Sequence, residues 1–378
     1  MVDTLDMVNG VSKTCKELFS AWDSINTEVH LTVYGSAYDA DMIHRGRQGA
    51  IVEKSGWLKL PLFGYKGYDL SVPVMDFFWQ MSSVRPDIIH IATPGPLGFL
   101  ALIYAKIHHL PVVYTHHTKP EVFISNLSKF QRLLFGWIAA TVVHIMAMES
   151  DRVIAHSPDS LQEAYTFGAK HPVFVRMGYA LPENTSSEIL LLKERYRNQL
   201  IEEYHLDKGK PVIIFVGRLS GDKNIRLLSH LISHLDTTII FVGDGPLAPY
   251  LTTCKHCIVT GFMSGEQLSA YYFGADVLMN LSVEETLGRT FIESLGHGTP
   301  VIVADSGDHL SQLPQDVNLI YRLHISEPVE EITVQHLRTI LEHIRHNRRE
   351  RVNMAMEYSH RYLWANLLKD HIAPYNDL

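Results

Sequence analysis

Along this chain apolar residues gather into short dense runs, separated by longer stretches where they recur at helical spacing. The runs "HLTVYG", "DIIHIAT", "PVVYTHH", "RVIAHS" and "VFVRM" lie before residue 181; "PVIIFVG", "TIIFVGDG", "CIVTG", "DVLMNLS" and "TPVIVAD" lie after it. Several are Val/Ile-rich without polar alternation, the pattern of parallel strands covered by helices on both faces. Strand and helix patterns alternate from end to end, which predicts an α/β architecture twice over. Between the two sets, "ENTSSEILLLKERYRNQLIEEYHLDKGK" reads as a linker with an exposed helix. The predicted division is a first domain at 1–180, linker and helix at 181–208, a second domain at 209–355, and a helical segment at 356–378 able to return to the first.

Local punctuation refines the helices. Asn9-Gly10 is a turn dipeptide ahead of a helical pattern from Val11. Ser264 and Gln267 have the spacing of a capping box, and Gly298 followed by Pro300 reads as a helix stop.

With 378 residues the chain is long enough for two domains with sizeable cores. A hydrophobic share of 46% and a charged share of 20% are those of an ordinary globular protein. The net charge of −8 argues against a nucleic-acid partner. Residues 1–180 are near neutral, with 15 Lys and Arg against 16 Asp and Glu, so the acidic balance belongs to the second half. The three cysteines, Cys15, Cys254 and Cys257, make no disulfide framework, and "CKHC" reads as thiols ahead of a strand. No signal peptide is recognisable, and "LLFGWIAATVVHIMAM" is shorter than the ~18 residues of a spanning helix. Of the 22 histidines, His90, His116 and His117 sit at strand ends, but no Asp, Glu or Cys completes a zinc-ligand spacing there.

In open parallel sheets, ligands bind beyond the carboxyl ends of the strands, where backbone N–H groups and helix N-termini face a crevice. After "PVIIFVG" comes "RLSGDKN", in which Arg218 and Lys223 flank Gly221 and could clamp a diphosphate. After "TIIFVG", Gly243 and Gly245 permit close backbone approach, and Pro246 suits the first turn of a helix. After "VLMNLS", Glu285 precedes a helix and Glu293 lies within it. On a helix these carboxylates would stand about 12 Å apart along the axis, further than the ~5–9 Å of a glycosidase pair. Such a separation suits the two ends of an extended ligand, a sugar and a ribose with a diphosphate between. The helix N-terminus near Thr286–Arg289 would face the phosphates. Two solvated glutamates are the plain alternative.

The segments "GRLSGDKN", "VGDGP", "VTGFMSGEQL" and "EETLGRTFIESLGHGTPVI", in that order, resemble the C-terminal half of retaining glycosyltransferases of family 4. "VNGVSKT", "LPLFGYKGYDLSVP", "RPDIIHIATPGPLGFLALIYAKIHHLPVVYTHHT" and "SDRVIAHSPDSLQEAYTFGAK" look like the N-terminal domain of the lipid-glycosylating branch, such as diacylglycerol glycosyltransferases and lipid mannosyltransferases. The resemblance spans nearly the whole chain. It implies the GT-B fold, two Rossmann-like α/β domains whose parallel sheets face a central cleft. It also implies retaining transfer of a sugar from a nucleoside-diphosphate sugar to a hydroxyl acceptor, foremost a membrane lipid such as diacylglycerol or a glycolipid.

Roles follow from the matched positions. Arg218 and Lys223 would bind the donor diphosphate, Glu285 the donor sugar and Glu293 the ribose. Gly10 would let the first loop approach the β-phosphate, and His117 matches the family's active-site histidine. Thr260 and Phe262 fall where the base is contacted, and Gly217, Gly243, Gly245, Thr286, Leu287 and Gly288 complete the donor-binding set. The resemblance implies no cofactor and no metal, the nucleotide sugar being a substrate. It implies a cytoplasmic enzyme, with peripheral contact to the inner face of the cell membrane.

Trp57, Phe63 and Tyr65 in "GWLKLPLFGYKGYDL" suit an acceptor-side or membrane-facing loop, or equally a loop packed by its own aromatics. "GDGPLA" is a weak dinucleotide fingerprint, and no acidic residue ends the next strand to hold an NAD ribose. The rivals to a transferase are a GT-B-type nucleotide-sugar epimerase and a non-catalytic nucleotide-sugar-binding protein. In the family the loop equivalent to "DTLDMVNGVSKT" follows a central strand, yet only Met1 and Val2 precede it here. The expectation is therefore a missing first strand, with unpaired backbone groups on its neighbours and a natural chain that starts further upstream.

Overall fold

The computed structural model describes the chain apart from residues 4–9, 25–28, 38–41, 56–57, 62–68, 73, 118–128, 284–287, 308–309, 311–312, 314–317, 326–330, 345–347 and 377. Side chains at 36–37, 55, 58–61, 69–72 and 129–135 also lie outside the description. Two compact units emerge: unit 1 is Met1–Ala180 with Trp364–Leu378, and unit 2 is Leu181–Leu363.

Unit 1 opens with α1 (Gly10–Ser24), β1 (Leu31–Ala37), β2 (Met42–Arg45) and β3 (Gly49–Ser55). The hairpin β4 (Leu58–Pro61) and β5 (Asp69–Val72) follows, then α2 (Val74–Val84), β6 (Ile89–Ile91) and α3 (Pro96–His108). It continues through β7 (Val112–His116), α4 (Lys129–Glu149), β8 (Arg152–Ala155), α5 (Pro158–Thr166) and β9 (Pro172–Phe174). The strands form one sheet in the order β1-β3-β2 and a parallel sheet in the order β6-β7-β8-β9.

Residues Met1–Asp3 lie between these sheets. Val2 bridges Gly35 in parallel, its N–H donates to the Tyr34 carbonyl at 3.0 Å, and the Ala92 N–H donates to the Met1 carbonyl at 2.9 Å. This corrects the expectation of unpaired backbone groups: Met1 and Val2 bond to both neighbours, and Val2 is buried against Val33, Ile51 and Phe19.

Unit 2 contains α6 (Ser186–Glu203), β10 (Ile213–Val216), α7 (Ile225–Ser233), β11 (Ile239–Val242), α8 (Ala248–Leu251), β12 (Cys257–Gly261) and α9 (Gly265–Gly274). Then come β13 (Val277–Asn280), α10 (Arg289–Gly296), β14 (Val301–Ala304), β15 (Ile320–Leu323), α11 (Glu331–Ile344) and α12 (Arg348–Ser359). Its six strands are all parallel, in the order β12-β11-β10-β13-β14-β15, and reverse direction of progression beside β10 as doubly wound sheets do. Strands β10, β11, β13 and β14 are buried at every position, which is why their sequences are unbroken apolar runs. After α12 the chain re-enters unit 1 as α13 (Trp364–Ile372), where Trp364 and Leu368 pack with Trp22 of α1.

Three local expectations are corrected. Helix α6 is no mere exposed linker: Ile189, Leu200 and Ile201 are buried, and Lys193, 1% exposed, donates to the carbonyls of Phe273 and Ala275 and to the Thr299 hydroxyl. Its pKa is driven down by loss of water, and these acceptors take the place of that water. Ser264 occupies the N-cap of α9 but makes no side-chain cap, because Gly265 starts the helix with φ 54°. Reciprocal boxes occur instead at Ser157/Ser160 and Thr185/Glu188. Pro246 precedes α8, and Pro249 takes the first turn.

Candidate functional site

In unit 2 the loops leaving β10, β11, β12 and β13 are laced together by backbone bonds. The N–H of Gly217 reaches the Val242 carbonyl at 3.1 Å, that of Leu219 reaches Asp244 at 2.9 Å, and that of Gly243 reaches Gly261 at 2.9 Å. A Cβ at Gly243 would stand 2.0 Å from the Gly217 carbonyl oxygen, so only glycine fits this approach. On the other flank Asn224 Nδ2 donates to the Leu281 carbonyl at 2.8 Å, and Ser282 Oγ donates to the Asp222 carbonyl at 3.1 Å. The loop carrying the candidate cations is therefore held from both sides.

Within it, Gly221–Lys223 makes a single 3-10 turn, and both cations converge on one carboxylate. Asp222 Oδ2 lies 3.5 Å from Arg218 and 3.9 Å from Lys223. The Arg218 side chain is one-third exposed, and its planar guanidinium is of the kind suited to binding a diphosphate. Gly245 follows in the β11 loop, and Thr260 closes β12 with Phe262, 54% exposed, just beyond it.

Gly288 caps α10 in the left-handed region at φ 55°. Glu293 inside that helix is 5% exposed, which removes the reading of a solvated glutamate. Its Oε2 accepts from Tyr272 Oη at 3.0 Å and its Oε1 from Arg289 Nε at 2.8 Å. Burial, and then the adjoining carboxylate, raise the Tyr272 pKa, keeping the phenol protonated as a donor. Glu285, Thr286 and Leu287 lie outside the described residues. The structure thus gathers Gly217, Arg218, Lys223, Gly243, Gly245, Thr260, Phe262, Gly288 and Glu293 around the carboxyl ends of four adjacent strands.

In unit 1, Gly10 begins α1 and is exposed, with nothing within 4 Å of a Cβ placed there. His117 follows β7, half-buried, its ring 5.0 Å from that of His156 beyond β8, and His156 lies 6.0 Å from His371 of α13. His90 at β6 bonds Thr115 Oγ1 through Nε2 and Tyr375 Oη through Nδ1, both at 2.6 Å. Burial, then neighbouring positive or imidazole groups, push the pKa of His90 and His117 down to about 3; burial alone is the depressing cause at His371, at about 4. His116 turns the other way and meets Glu163 of α5 at 3.2 Å. Asp3 fills the N-terminus of α3, accepting from Leu97 N at 2.6 Å and Gly95 N at 3.0 Å. Trp57, Phe63 and Tyr65 lie outside the described residues. No group of three or more His, Cys, Asp or Glu among the described residues is arranged to hold a metal ion.

Sequence reasoning missed His156, His371, Tyr375, Asp222 and Tyr272. The signal for the first was its place just after a strand, like His117 one strand earlier. Asp222 was in view, between the two cations.

Two sheet-bearing units, with a charged, glycine-laced strand-end crown in the second, have the GT-B fold. The pattern described as "Glycosyltransferase Family 4" matches residues 8–175 and that described as "Glycosyl transferases group 1" matches 210–332; the chain belongs to this family. It is 28% identical over 292 residues to the sulfoquinovosyl transferase SQD2 of Arabidopsis thaliana, covering 75% of this chain and 55% of that protein. It is 25% identical to the alpha-monoglucosyldiacylglycerol synthase of Acholeplasma laidlawii, covering 79% and 77%. The chain spans 55% and 65% of the length of the plant protein and of a mycobacterial GDP-mannose-dependent alpha-mannosyltransferase. Among solved structures it shares the fold of Anabaena HepE in complex with UDP and glucose, at TM-score 0.71 and 14% identity, covering 100% of this chain and 98% of that one.

Proposed function

We propose that this protein transfers a sugar from a nucleoside-diphosphate sugar, with retention of configuration and without a required metal, to a hydroxyl of a membrane lipid. The observation that carries the reading is the pair Arg218 and Lys223, held on a doubly laced loop at the sheet's strand ends. Fixed cations of this kind stabilise a departing diphosphate where its charge develops. Glu285 would hold hydroxyls of the donor sugar, Glu293 the ribose, and Thr260 with Phe262 the base. Gly10 would admit the β-phosphate to the start of α1, and His117 would meet the sugar. The acceptor hydroxyl attacks C1 from the face the diphosphate leaves, and its proton passes to the leaving phosphate oxygen.

Relatives named as alpha-monoglucosyldiacylglycerol synthases favour a lipid acceptor. So does an apolar surface on unit 1: Met75 (74% exposed) and Trp79 (72%) on α2, Ile107 (65%) on α3 and Trp137 (69%) on α4. Helices α2 and α3 are joined through the rings of Phe77, Phe78 and Tyr104, and α3 packs on α4. Such a face suits peripheral membrane contact. No helix among the described residues is long and apolar enough to cross a membrane.

Labelled nucleotide sugars incubated with the protein, with and without lipid vesicles, test the reading. Label in lipid supports it; an altered free donor would mean an epimerase, and binding without turnover a carrier.

A further inference from the structure

The C-terminal segment of the chain reaches the end of β7 by two separate routes. Along the first, Tyr375 Oη meets His90 Nδ1 and His90 Nε2 meets Thr115 Oγ1, two residues before His117. Along the second, the rings of His371, His156 and His117 are stepped at 6.0 and 5.0 Å with interplanar angles of 33° and 35°. Successive carbonyls leaving β9 orient this column: His156 Nδ1 meets Val175 at 2.7 Å and His371 Nε2 meets Arg176 at 2.9 Å. A carbonyl only accepts, so each of these nitrogens carries the ring's N–H and the tautomers are assigned by geometry. The far end rests on Trp364, whose ring lies 4.9 Å from His371 and covers Gly178, where a Cβ would stand 2.4 Å from the indole.

We propose that His156 and His371 are positioning residues for His117, stacking an uncharged column against its ring so that the returning helix α13 sets the ring's plane and keeps it neutral for sugar transfer. The proposal rests on the functional reading above, in which His117 meets the donor sugar. A second proton on His156 or His371 would place a positive charge beside the neighbouring imidazoles, and adjacent imidazolium rings repel. The groups facing His117 are His90 from β6, His116 from β7, and His156 and His371 from the column; Tyr375 and the amino terminus stand behind His90, and Asp370 beside His371.

His156→Ala and His371→Ala should lower kcat by about a hundredfold while the donor KM stays within a few-fold, since misplacement of a reacting group costs turnover before binding. His156→Phe and His371→Phe, which restore a flat ring without a titrating one, should recover most of the loss. Folded alanine variants with the parent's kcat, or phenylalanine variants no better than alanine, overturn the proposal. Ring NMR of His117 in the free protein needs neither a variant nor activity. Its resonances should stay flat from pH 8 to 5 in the parent, and a midpoint near the ordinary ~6.5 would refute a column that keeps it neutral. If no donor is turned over, the functional reading fails and this titration alone judges the column.

Discussion

Beyond the strand ends of unit 2 stand Arg218, Asp222, Lys223 and the buried Glu293; at the equivalent places of unit 1 stand the neutral His90, bonded to Thr115 and Tyr375, and the neutral His117 and His156, packed ring to ring. One architecture thus presents charge in one unit and uncharged polarity in the other. The charged crown is made of loops, and its precision comes from backbone lacing and from Gly243, which admits no side chain. The histidine site is made of rings, and its precision comes from stacking and from a helix supplied by the far end of the chain. Ionic recognition tolerates exposed, flexible ends because Coulomb attraction acts at a distance; a neutral ring must be placed by contact.

The largest expected break in this contrast is at the charged side. Arg218→Ala should reduce turnover by about a hundredfold or more, a loss of ~3 kcal/mol in transition-state stabilisation. The fold should be unaffected, as the residue is one-third exposed. Steady-state kinetics on the folded variant decide it, and activity within a few-fold of the parent removes the diphosphate clamp from the picture.

Acid should break the neutral side. Unfolded, each ring titrates near ~6.5; folded, His90 and His117 do so at about 3 and His371 at about 4. Above ~6.5 both states are uncharged and no stability is lost; below it the unfolded chain binds protons that the folded rings refuse, so stability falls with pH. Each ring contributes a slope approaching about 1.4 kcal/mol per pH unit. All five tryptophans lie in unit 1, so their fluorescence during urea unfolding reports that unit. Between pH 7 and 5.5, His371→Phe should lose less stability than the parent by about one ring's share. Equal losses would mean His371 is already charged in the fold.

The smallest effect concerns the outer face of unit 1. Trp79→Ser with Ile107→Ser should reduce co-sedimentation with vesicles, while stability changes by no more than about 0.5 kcal/mol because both side chains are exposed. Undiminished vesicle binding would assign membrane contact to some other surface.

What was legible in the sequence follows from these same differences. The buried parallel strands announce themselves as unbroken Val/Ile runs, and β10, β11, β13 and β14 lie inside the predicted segments. Strand β2, exposed at every position, has no apolar run to reveal it, and β15 interrupts its own pattern with exposed Arg322. The charged loop was readable because Gly221, Arg218 and Lys223 fall within a few residues. The histidine column was not, because residues 117, 156 and 371 share no spacing and meet only through the fold. The pairing of Met1 and Val2 was not legible, since two residues carry no periodicity, though their backbone bonds to both neighbouring strands.

The return of α13 to unit 1 sets an order of events during synthesis. Unit 1 is begun first, yet Trp364, His371 and Tyr375 leave the ribosome only after all of Leu181–Leu363. At about 5–20 residues per second that interval is roughly ten to forty seconds. Throughout it the seat of Trp364 over Gly178 stands open, while unit 2, whose residues are contiguous, can complete its core. The nascent chain therefore finishes its second half before its first, and a ribosome that stalls short of α13 releases a folded unit 2 attached to an uncovered unit 1.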